Sequence, residues 1–316
     1  MLQEESSWNM ALPKLPSAAA YIHLRNPGKR NALSLCVLKD LRDQLHRHLT
    51  SPATGKVLTL PPFRHSSLKS IQSGEHRWLL DADEWKAKRA GLPKALVLRS
   101  EGPVFCSGHD LKELAGQDEA AAKDLFDACA DVMSLIRHSP APVVCPVQGT
   151  ATAAGFQMAM AADYPIALAS TLFCLPGMRI GFPCVSPATF VARRLPPALV
   201  YRMFATGDAV PAAELGAAVD VVSIPKHAES TDTAAAAFEA RVDAVVQRLA
   251  VDTSGQAQAF GKWAFWTQLA RADSNDSFVE AARWASGVMA LQSGHLEDAN
   301  EGIAAFVEKR APSWKT

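Results

Sequence analysis

The sequence predicts an α/β domain followed by an α-only tail. Strand patterns such as Lys94–Ser100 (KALVLRS) and the buried run that opens at Pro142 alternate with helical patterns up to about residue 225. Beyond that point only helical patterns occur, over 234–249, 255–272 and 276–292. Repeated strand and helix units of this kind are typical of one α/β domain. A chain of 316 residues has room for such a domain and an appendage.

Composition and charge exclude several classes of protein. Hydrophobic residues make up 48% and charged residues 20%, which supplies material for a sizeable core. The chain has 32 Lys plus Arg residues and 32 Asp plus Glu residues, so its net charge gives no overall electrostatic attraction to nucleic acid. No apolar run approaches the roughly 18 residues that a membrane span needs.

Cysteine use and the chain ends predict an intracellular location, in the cytoplasm or the mitochondrial matrix. The six cysteines are dispersed and lack CxxC spacing, which indicates reduced thiols and neither a disulfide framework nor a metal site. The first ten residues, MLQEESSWNM, contain no Arg and do not resemble a signal peptide. The last residues, SWKT, are not a peroxisomal signal.

The first third of the chain contains a strand, a helix and a long irregular stretch. Residues 1–17 form a lead-in, Ala18–Leu24 is a strand pattern, and a turn at Asn26-Pro27-Gly28 precedes a helix that begins after KRNALS. From about residue 50 to residue 92 no period is sustained, and loops of that length are usually functional or mobile. We assign no chemistry to that stretch.

The middle of the chain carries the remaining α/β elements. We predict strands at 94–100, from Pro142 to the break at Gly149, and at 164–169, 172–175 and 219–222. We predict helices from Leu111, over 120–137, from Phe156 to Ala162, and over 186–194, 196–206 and 211–217. Aromatic residues crowd the helical tail and indicate core or a subunit interface: Trp263, Phe265, Trp266, Phe278 and Trp284.

Two strand–turn–helix junctions of similar build stand out. In one, Gly149 breaks the strand and the small residues 151–155 lead into an apolar helix; in the other, a strand ends at the turn Ser107–Asp110. The first N–H groups of a helix have no partner inside it and are ready donors to an anion. One N–H from each junction could hold the same carbonyl oxygen. For the first junction alone, the alternative is a tightly packed corner in which Ala and Gly are present only because larger side chains would not fit.

The motifs at these junctions resemble the enoyl-CoA hydratase/isomerase (crotonase) superfamily. They are FCSGHDLKEL (105–114), QGTATAAGFQMAMAADYPIA (148–167) and FCLPGMRIGF (173–182), joined in the family's order by PGKRNALS (27–34), FATGDAVPAAELGAAVDVV (204–222) and EGIAAFVEKRAP (301–312). Within the family the chain is similar to the mitochondrial group called enoyl-CoA hydratase domain-containing proteins, which lacks both catalytic glutamates.

The resemblance implies a fold and a division of the chain. The fold is a crotonase (ClpP-like) spiral of ββα units with a C-terminal helical trimerisation region. Residues 1–17 would be the lead-in, 18–225 the core with an insertion at about 50–92, and 226–316 the helical region. A homotrimer or a dimer of trimers is expected.

The resemblance also implies an acyl-CoA site, with coenzyme A present as part of the substrate and no covalently bound cofactor. The backbone N–H groups of His109 and Ala154 would form the oxyanion hole for the thioester carbonyl, in fatty-acid or related acyl-CoA metabolism. Lys309 would reach the CoA phosphates of a neighbouring subunit. The CoA channel would be lined by Lys29, Arg30, Ala32, Ser107, Gly108, Asp110 and Leu111.

The two glutamates of the family's hydratases are missing. Gln157 stands at the position of the first and cannot take a proton, and Gly177 stands at the position of the second. Two-glutamate hydration is therefore not expected, and isomerase chemistry that relies on the second glutamate is not expected either.

Three replacements for the lost carboxylates are open. Cys184 could act as a nucleophile if its pKa were lowered, although a buried structural thiol is the favoured interpretation. The His109 side chain could act as acid or base, or could point away and bond to the chain. Asp110 and Asp163 are expected to be structural, as a helix cap and a helix end.

Two hypotheses of function follow. The first is an enzyme that performs lyase- or isomerase-type chemistry on CoA thioesters with a non-glutamate acid or base. The alternative is a catalytically inactive acyl-CoA-binding pseudoenzyme.

Overall fold

The protein is an α/β fold built on two small sheets. The computed structural model describes residues 12–67, 70–71, 74–79, 81–224, 231–253, 255–269, 286 and 297–311. Five parallel strands form the main sheet in the order β1-β2-β3-β5-β8, and β4, β6 and β7 form the second. The strands are β1 (Ala19–Leu24), β2 (Ala95–Ser100), β3 (Val143–Val147), β4 (Thr150–Thr152), β5 (Tyr164–Leu168), β6 (Leu172–Cys174), β7 (Val210–Pro211) and β8 (Asp220–Val222).

Helices cover the faces of the sheets. Every residue of β2 and β3 is buried, as their continuous apolar runs predict for central strands of a parallel sheet. The predicted fold class is therefore confirmed. The described helices are α1 (Leu35–Leu49), α2 (Ala82–Lys88), α3 (Leu111–Leu114), α4 (Glu119–His138), α5 (Ala154–Ala161), α6 (Val185–Val191), α7 (Pro197–Thr206), α8 (Thr231–Gln247), α9 (Gly255–Leu269) and α10 (Glu297–Glu308).

The main core holds α5 rigidly. All eight residues of this helix are buried, which its composition of Ala, Gly, Phe and Met explains. Asp163, just after the helix, accepts hydrogen bonds at Oδ2 from the Val143 backbone N–H at 2.8 Å and from Lys262 Nζ at 2.7 Å. Asp163 is thus a structural residue that ties the end of α5 to β3 and to α9.

The irregular stretch before β2 belongs to a second, smaller core. Leu58, Leu60, Phe63 and Trp78 pack with Trp263 of α9 in one buried cluster. The indole Nε1 of Trp263 also donates a hydrogen bond to the Pro62 carbonyl at 3.2 Å. The described part of the 50–92 insertion therefore packs against the helical tail.

The aromatic residues of the tail separate into two kinds. Trp263 is 4% exposed and lies in the small core, whereas Phe265 is 54% exposed. The ring of Trp266 stacks under the guanidinium of Arg137, with the Arg137 Cζ 3.1 Å from the ring centroid. Phe278 and Trp284 lie outside the described residues.

Some predicted boundaries differ in the structure. The predicted helix at 211–217 is two short 3₁₀ turns, Ala212–Glu214 and Gly216–Ala218, since Pro211 and the left-handed Gly216 interrupt the pattern. The predicted helix after Gly155 begins earlier, at Ala154. The predicted helix at 276–292 falls outside the described residues except for residue 286, which is helical. None of the helices in the described ranges is long and apolar enough to cross a bilayer.

Candidate functional site

The two strand–turn–helix junctions meet at their backbones. The Cys106 N–H donates to the Thr150 carbonyl at 3.3 Å, and the Thr152 N–H donates to the Cys106 carbonyl at 2.9 Å. A Cβ built at Gly155 would lie 2.5 Å from the Cys106 carbonyl oxygen, so only glycine permits this approach. A Cβ built at Gly108 would lie 3.7 Å from the Ala154 nitrogen, which places the two turns side by side.

Each turn presents an uncommitted backbone N–H. Ala154 is the first residue of α5, so its N–H has no acceptor within the helix. In the part of the chain that the structure describes, neither the Ala154 N–H nor the His109 N–H donates a hydrogen bond. The two donors that the resemblance assigned to the thioester carbonyl thus lie on adjoining turns.

Backbone strain accompanies this arrangement. Ala153 has φ 49° and ψ −113°, a conformation that a residue with a Cβ rarely adopts. Its own N–H donates to the Cys174 carbonyl at 3.0 Å, which holds the strained residue in place. Ala153 therefore sets the direction of the Ala154 N–H. Sequence reasoning missed this role, although the run of small residues at 151–155 marks the position.

The segment that follows β1 lies against the first turn. The Ser107 N–H donates to the Arg30 carbonyl at 3.1 Å, and the Leu33 N–H donates to the Gly108 carbonyl at 2.8 Å. Ala32 is buried, and Arg30 is exposed. The structure thus brings together the residues predicted for the CoA channel at 29–32 and at 107–111.

Asn31 anchors this segment, a role that the sequence analysis did not recognise. The side chain is fully buried, and Nδ2 donates to the carbonyls of Glu101 at 2.7 Å and Val104 at 2.8 Å. Oδ1 accepts from the Asn26 N–H at 2.8 Å. With φ 54°, Asn31 sits in the left-handed region that Asn tolerates better than most residues.

Asp110 is a helix cap that also binds Lys29. Its Oδ1 accepts from the N–H groups of Lys112 and Glu113, as the sequence analysis expected for a cap. Lys29 Nζ lies 2.8 Å from Asp110 Oδ2. Burial raises the pKa of Asp110, but Lys29 and the capping amides outweigh it, so the pKa is lowered overall. Leu111, the first residue of α3, follows directly.

Gln157 is committed to a neighbouring hydroxyl. It is fully buried, and its Nε2 donates to Ser186 Oγ of α6 at 3.2 Å. Ser186 Oγ in turn lies 3.5 Å from Gln157 Oε1. Gln157, which the resemblance assigns to the position of the first family glutamate, therefore forms a neutral amide–hydroxyl pair with Ser186.

Main chain fills the space beside Gly177, the residue that the resemblance assigns to the position of the second family glutamate. A Cβ built at Gly177 would lie 2.1 Å from the Phe182 carbonyl oxygen and 2.8 Å from Cys184 Sγ. The segment Pro176–Ile180 is a 3₁₀ turn closed by the left-handed Gly181, and this closure folds residues 182–184 back over Gly177. No carboxylate side chain fits there without moving the turn.

The buried thiols of the site are not thiolates. Burial raises the pKa of Cys184 to about 12, and its Sγ accepts a hydrogen bond from the Gly177 N–H at 3.3 Å. Burial likewise raises the pKa of Cys106 to about 12. The condition for Cys184 to be a nucleophile, a lowered pKa, is therefore not met, and its geometry is that of a structural thiol.

The His109 ring packs into the core beside the turn. It meets the Phe126 ring of α4 edge-on, with 4.9 Å between centroids. Burial lowers the pKa of His109 to about 4, with the Leu33 backbone partly opposing the shift. The imidazole is therefore neutral at physiological pH.

The tail helix α10 borders the same region. A Cβ built at Gly302 would lie 1.3 Å from the Ile180 carbonyl oxygen, so α10 lies directly on the Pro176–Ile180 turn. Lys309 follows the helix, is exposed and has φ 55°. Its contact with a neighbouring subunit stays a prediction. Among the residues that the structure describes, no group of three His, Cys, Asp or Glu side chains could hold a metal ion.

Comparison with known proteins identifies the family. Residues 91–316 match the family model described as enoyl-CoA hydratase/isomerase. The chain is 32% identical over 303 residues to mitochondrial enoyl-CoA hydratase domain-containing protein 3 of Mus musculus, covering 93% of this chain and 80% of that protein. It is also 32% identical over 232 residues to carnitinyl-CoA dehydratase of Proteus mirabilis, covering 70% of this chain and 80% of that protein.

A solved structure supports the same family. The crystal structure of human enoyl-CoA hydratase domain-containing protein 3 superposes with a TM-score of 0.59 at 28% identity, covering 95% of this chain and 98% of that chain. A crotonase fold and a backbone site of this kind define one class of protein. The chain belongs to the enoyl-CoA hydratase/isomerase family, as its motifs indicated.

Proposed function

We propose that this protein binds acyl-CoA thioesters and polarises the thioester carbonyl with the backbone N–H groups of His109 and Ala154. The observation that carries the proposal is the pair of uncommitted donors on two adjoining turns. A single well-placed donor of this kind lowers the barrier of a comparable acyl-transfer reaction by ~3–4 kcal/mol. Donors that are already fixed in the folded protein need no rearrangement when charge develops on the oxygen.

The CoA moiety would lie along the segment at Lys29–Ala32 and the turn at Ser107–Leu111. Arg30 is exposed and free to meet phosphate, whereas the Lys29 ammonium is shared with Asp110. Lys309, at the end of α10, would meet the CoA phosphates of a neighbouring subunit in a trimer or dimer of trimers. The backbone near Ala32 would face the adenine.

The reaction class is enzymatic chemistry on the bound thioester without the two-glutamate hydration. Isomerisation, decarboxylation and thioester hydrolysis all pass through a negatively charged carbonyl oxygen, which the two amides would stabilise. Hydration is disfavoured because Gln157 has no titratable group to take a proton from water and main chain occupies the space beside Gly177.

The second candidate is a catalytically inactive acyl-CoA-binding protein. The filled space at Gly177 favours it, since a turn that excludes a carboxylate is a structural change beyond the loss of one side chain. The preserved pair of donors favours the enzyme.

The names of two of the similar proteins suggest a cellular location and a type of metabolism. One is called mitochondrial and another a dehydratase of carnitinyl-CoA. We extend these names to this chain only as a proposal: acyl-CoA metabolism, in the mitochondrial matrix or the cytoplasm.

A thermal-shift panel tests the proposal. The panel contains CoA, acetyl-CoA, crotonyl-CoA and a long-chain acyl-CoA, and a ligand at a hundredfold excess over its Kd adds roughly 2.7 kcal/mol to the free energy of unfolding. We expect an acyl-CoA to raise the melting temperature more than CoA does, because only the thioester reaches the two amides. If none of the four raises it, the proposed function is refuted.

Mass spectrometry of the stabilising acyl-CoA then separates the two candidates. A product that accumulates with catalytic amounts of protein identifies an enzyme and its reaction. An acyl-CoA that binds and is recovered unchanged identifies the inactive binder.

A further inference from the structure

The thiols and the amide near the two turns are all engaged in hydrogen bonds. Cys174 Sγ and Thr152 Oγ1 share a hydrogen bond at 3.4 Å, and burial raises the pKa of Cys174. Cys184 is bonded to the Gly177 N–H. Gln157 is held by Ser186, and neither of these two groups titrates near neutral pH. None of these side chains is disposed to accept a proton from a ligand.

The carboxylate nearest to the turns is engaged as well. Asp110 caps α3 with one oxygen and binds Lys29 with the other. Protonating it would break a helix cap and an ion pair together. A group with two structural partners is a poor proton acceptor.

His109 is different, because its buried Nδ1 makes no hydrogen bond of normal geometry in the described ranges, although the Leu33 backbone lies close enough to oppose part of the lowering of its pKa. A buried polar atom in that state costs ~1–3 kcal/mol, so its retention calls for a reason. The residue as a whole is partly exposed. The backbone N–H of this same residue is one of the two proposed donors to the thioester carbonyl.

We propose that the His109 side chain is the base that removes the α-proton of a bound acyl-CoA thioester. The inference rests on the proposed function, since the thioester carbonyl must first sit against the amides of His109 and Ala154. The α-carbon is bonded to that carbonyl carbon, so the amide and the imidazole of one residue would act on adjacent atoms of the ligand.

The proton transfer is balanced without any co-reactant. The Cα–H bond breaks, its electron pair forms the carbon–carbon double bond of an enolate, and the carbonyl oxygen takes the negative charge against the two amides. The proton binds the ring nitrogen that carries no hydrogen and makes an imidazolium. Returning it to the same carbon restores the ligand. Where the acyl chain carries a double bond next to Cα, the charge also reaches Cγ, and returning the proton to Cγ shifts that double bond.

The basicity of His109 suits the removal of an α-proton. An ordinary glutamate has a pKa of about 4.3, and burial lowers the pKa of His109 to about 4. The imidazole is therefore about as strong a base as an ordinary glutamate. It is also fully unprotonated at neutral pH. The charged pair nearest along the chain, Asp110 with Lys29, is internally neutralised, and the Phe126 ring that meets the imidazole edge-on is apolar.

Hydrogen exchange at Cα is the experiment. Butyryl-CoA is incubated with the protein in deuterium oxide, and deuterium at Cα is followed by mass spectrometry. We expect the wild type to catalyse the exchange. His109→Ala should reduce it by about 10²–10⁴-fold, the usual contribution of a general base. The same variant should keep its thermal shift with butyryl-CoA, because the backbone amide is unchanged, and added imidazole should restore part of the exchange.

A matched control and a pH profile complete the test. His48, a partly buried histidine of α1, lies outside the site, and His48→Ala should leave the exchange unchanged. In the wild type the exchange rate should be level from pH 6 to pH 9. A rate that climbs toward pH 9 indicates a thiolate and overturns the proposal, whether or not the alanine variant folds.

The outcomes distinguish this inference from the function on which it rests. If butyryl-CoA stabilises the wild type but no exchange occurs, or if His109→Ala exchanges at the wild-type rate, His109 is not the base and the binding proposal stands. If butyryl-CoA neither stabilises the protein nor exchanges, both proposals fail.

Discussion

Gly177 offers the sharpest test of why the second glutamate is absent. A Cβ at this position would lie 2.1 Å from the Phe182 carbonyl oxygen, 2.8 Å from Cys184 Sγ and 2.9 Å from the Cys184 nitrogen. Two of these atoms are main chain and cannot swing away as a flexible side chain would. We therefore expect Gly177→Ala and Gly177→Glu to destabilise the protein rather than to restore a hydratase.

The magnitude follows from the contacts. Overpacking a well-filled site costs ~1–3 kcal/mol, and a clash with main chain belongs at the upper end. At roughly 2 °C per kcal/mol for a chain of this size, Gly177→Ala should melt about 6 °C below the wild type. Gly177→Glu should melt lower still, because its carboxylate would also be buried without a partner.

Differential scanning fluorimetry, urea unfolding and a crotonyl-CoA hydration assay measure the effect. Gly261 of α9 is the matched control, because a Cβ there meets nothing within 4 Å. Gly261→Ala should be neutral or should stabilise by about 0.5–1 kcal/mol, as Ala does in a helix. A Gly177→Glu variant that is as stable as the wild type and hydrates crotonyl-CoA would refute the reasoning.

Four further predictions concern the parts that hold the site. Asn31→Ala should lower the free energy of unfolding by about 2–4 kcal/mol in urea titrations, because three buried hydrogen bonds are lost together. Ala153→Gly should raise the melting temperature, because glycine relieves a strain of about 1–3 kcal/mol at φ 49°; a lower melting temperature contradicts this. Burial lowers the pKa of His109 to about 4 in the folded state, whereas the pKa is near 6.5 in the unfolded chain. The contribution of the neutral His109 ring to the free energy of unfolding is therefore complete above pH 6.5 and is lost as the pH falls toward 4. The wild type should therefore lose up to about 3 kcal/mol more than His109→Gln between pH 7 and pH 4, as measured by unfolding at each pH. Lys262→Met should cost about 3–5 kcal/mol in urea, because it leaves the partly buried carboxylate of Asp163 without its charge partner, and an unchanged midpoint would show that the ion pair contributes little.

Local chemistry was predictable from the sequence. Strand patterns and glycine turns located β2 and β3 and the two junctions, since side-chain period and backbone freedom are properties of neighbouring residues. The cap at Asp110 followed from its place before Leu111. The loss of both carboxylates at Gln157 and Gly177 could be deduced by position alone.

Contacts between distant segments needed the tertiary structure. The packing of residues 58–79 against Trp263 joins stretches about two hundred residues apart, and no local period encodes it. The anchoring role of Asn31 likewise depends on carbonyls some seventy residues away.

By itself, the sequence determined the fold class, the family, the two donor-bearing turns and the absence of a carboxylate pair. Only the tertiary structure decided that main chain fills the space beside Gly177, that Cys184 is a buried thiol, and that His109 Nδ1 makes no hydrogen bond of normal geometry among the described residues. The physical reason is that residue type limits which protons a side chain can hold. Burial and hydrogen bonding, which the whole fold sets, decide whether it holds them at neutral pH.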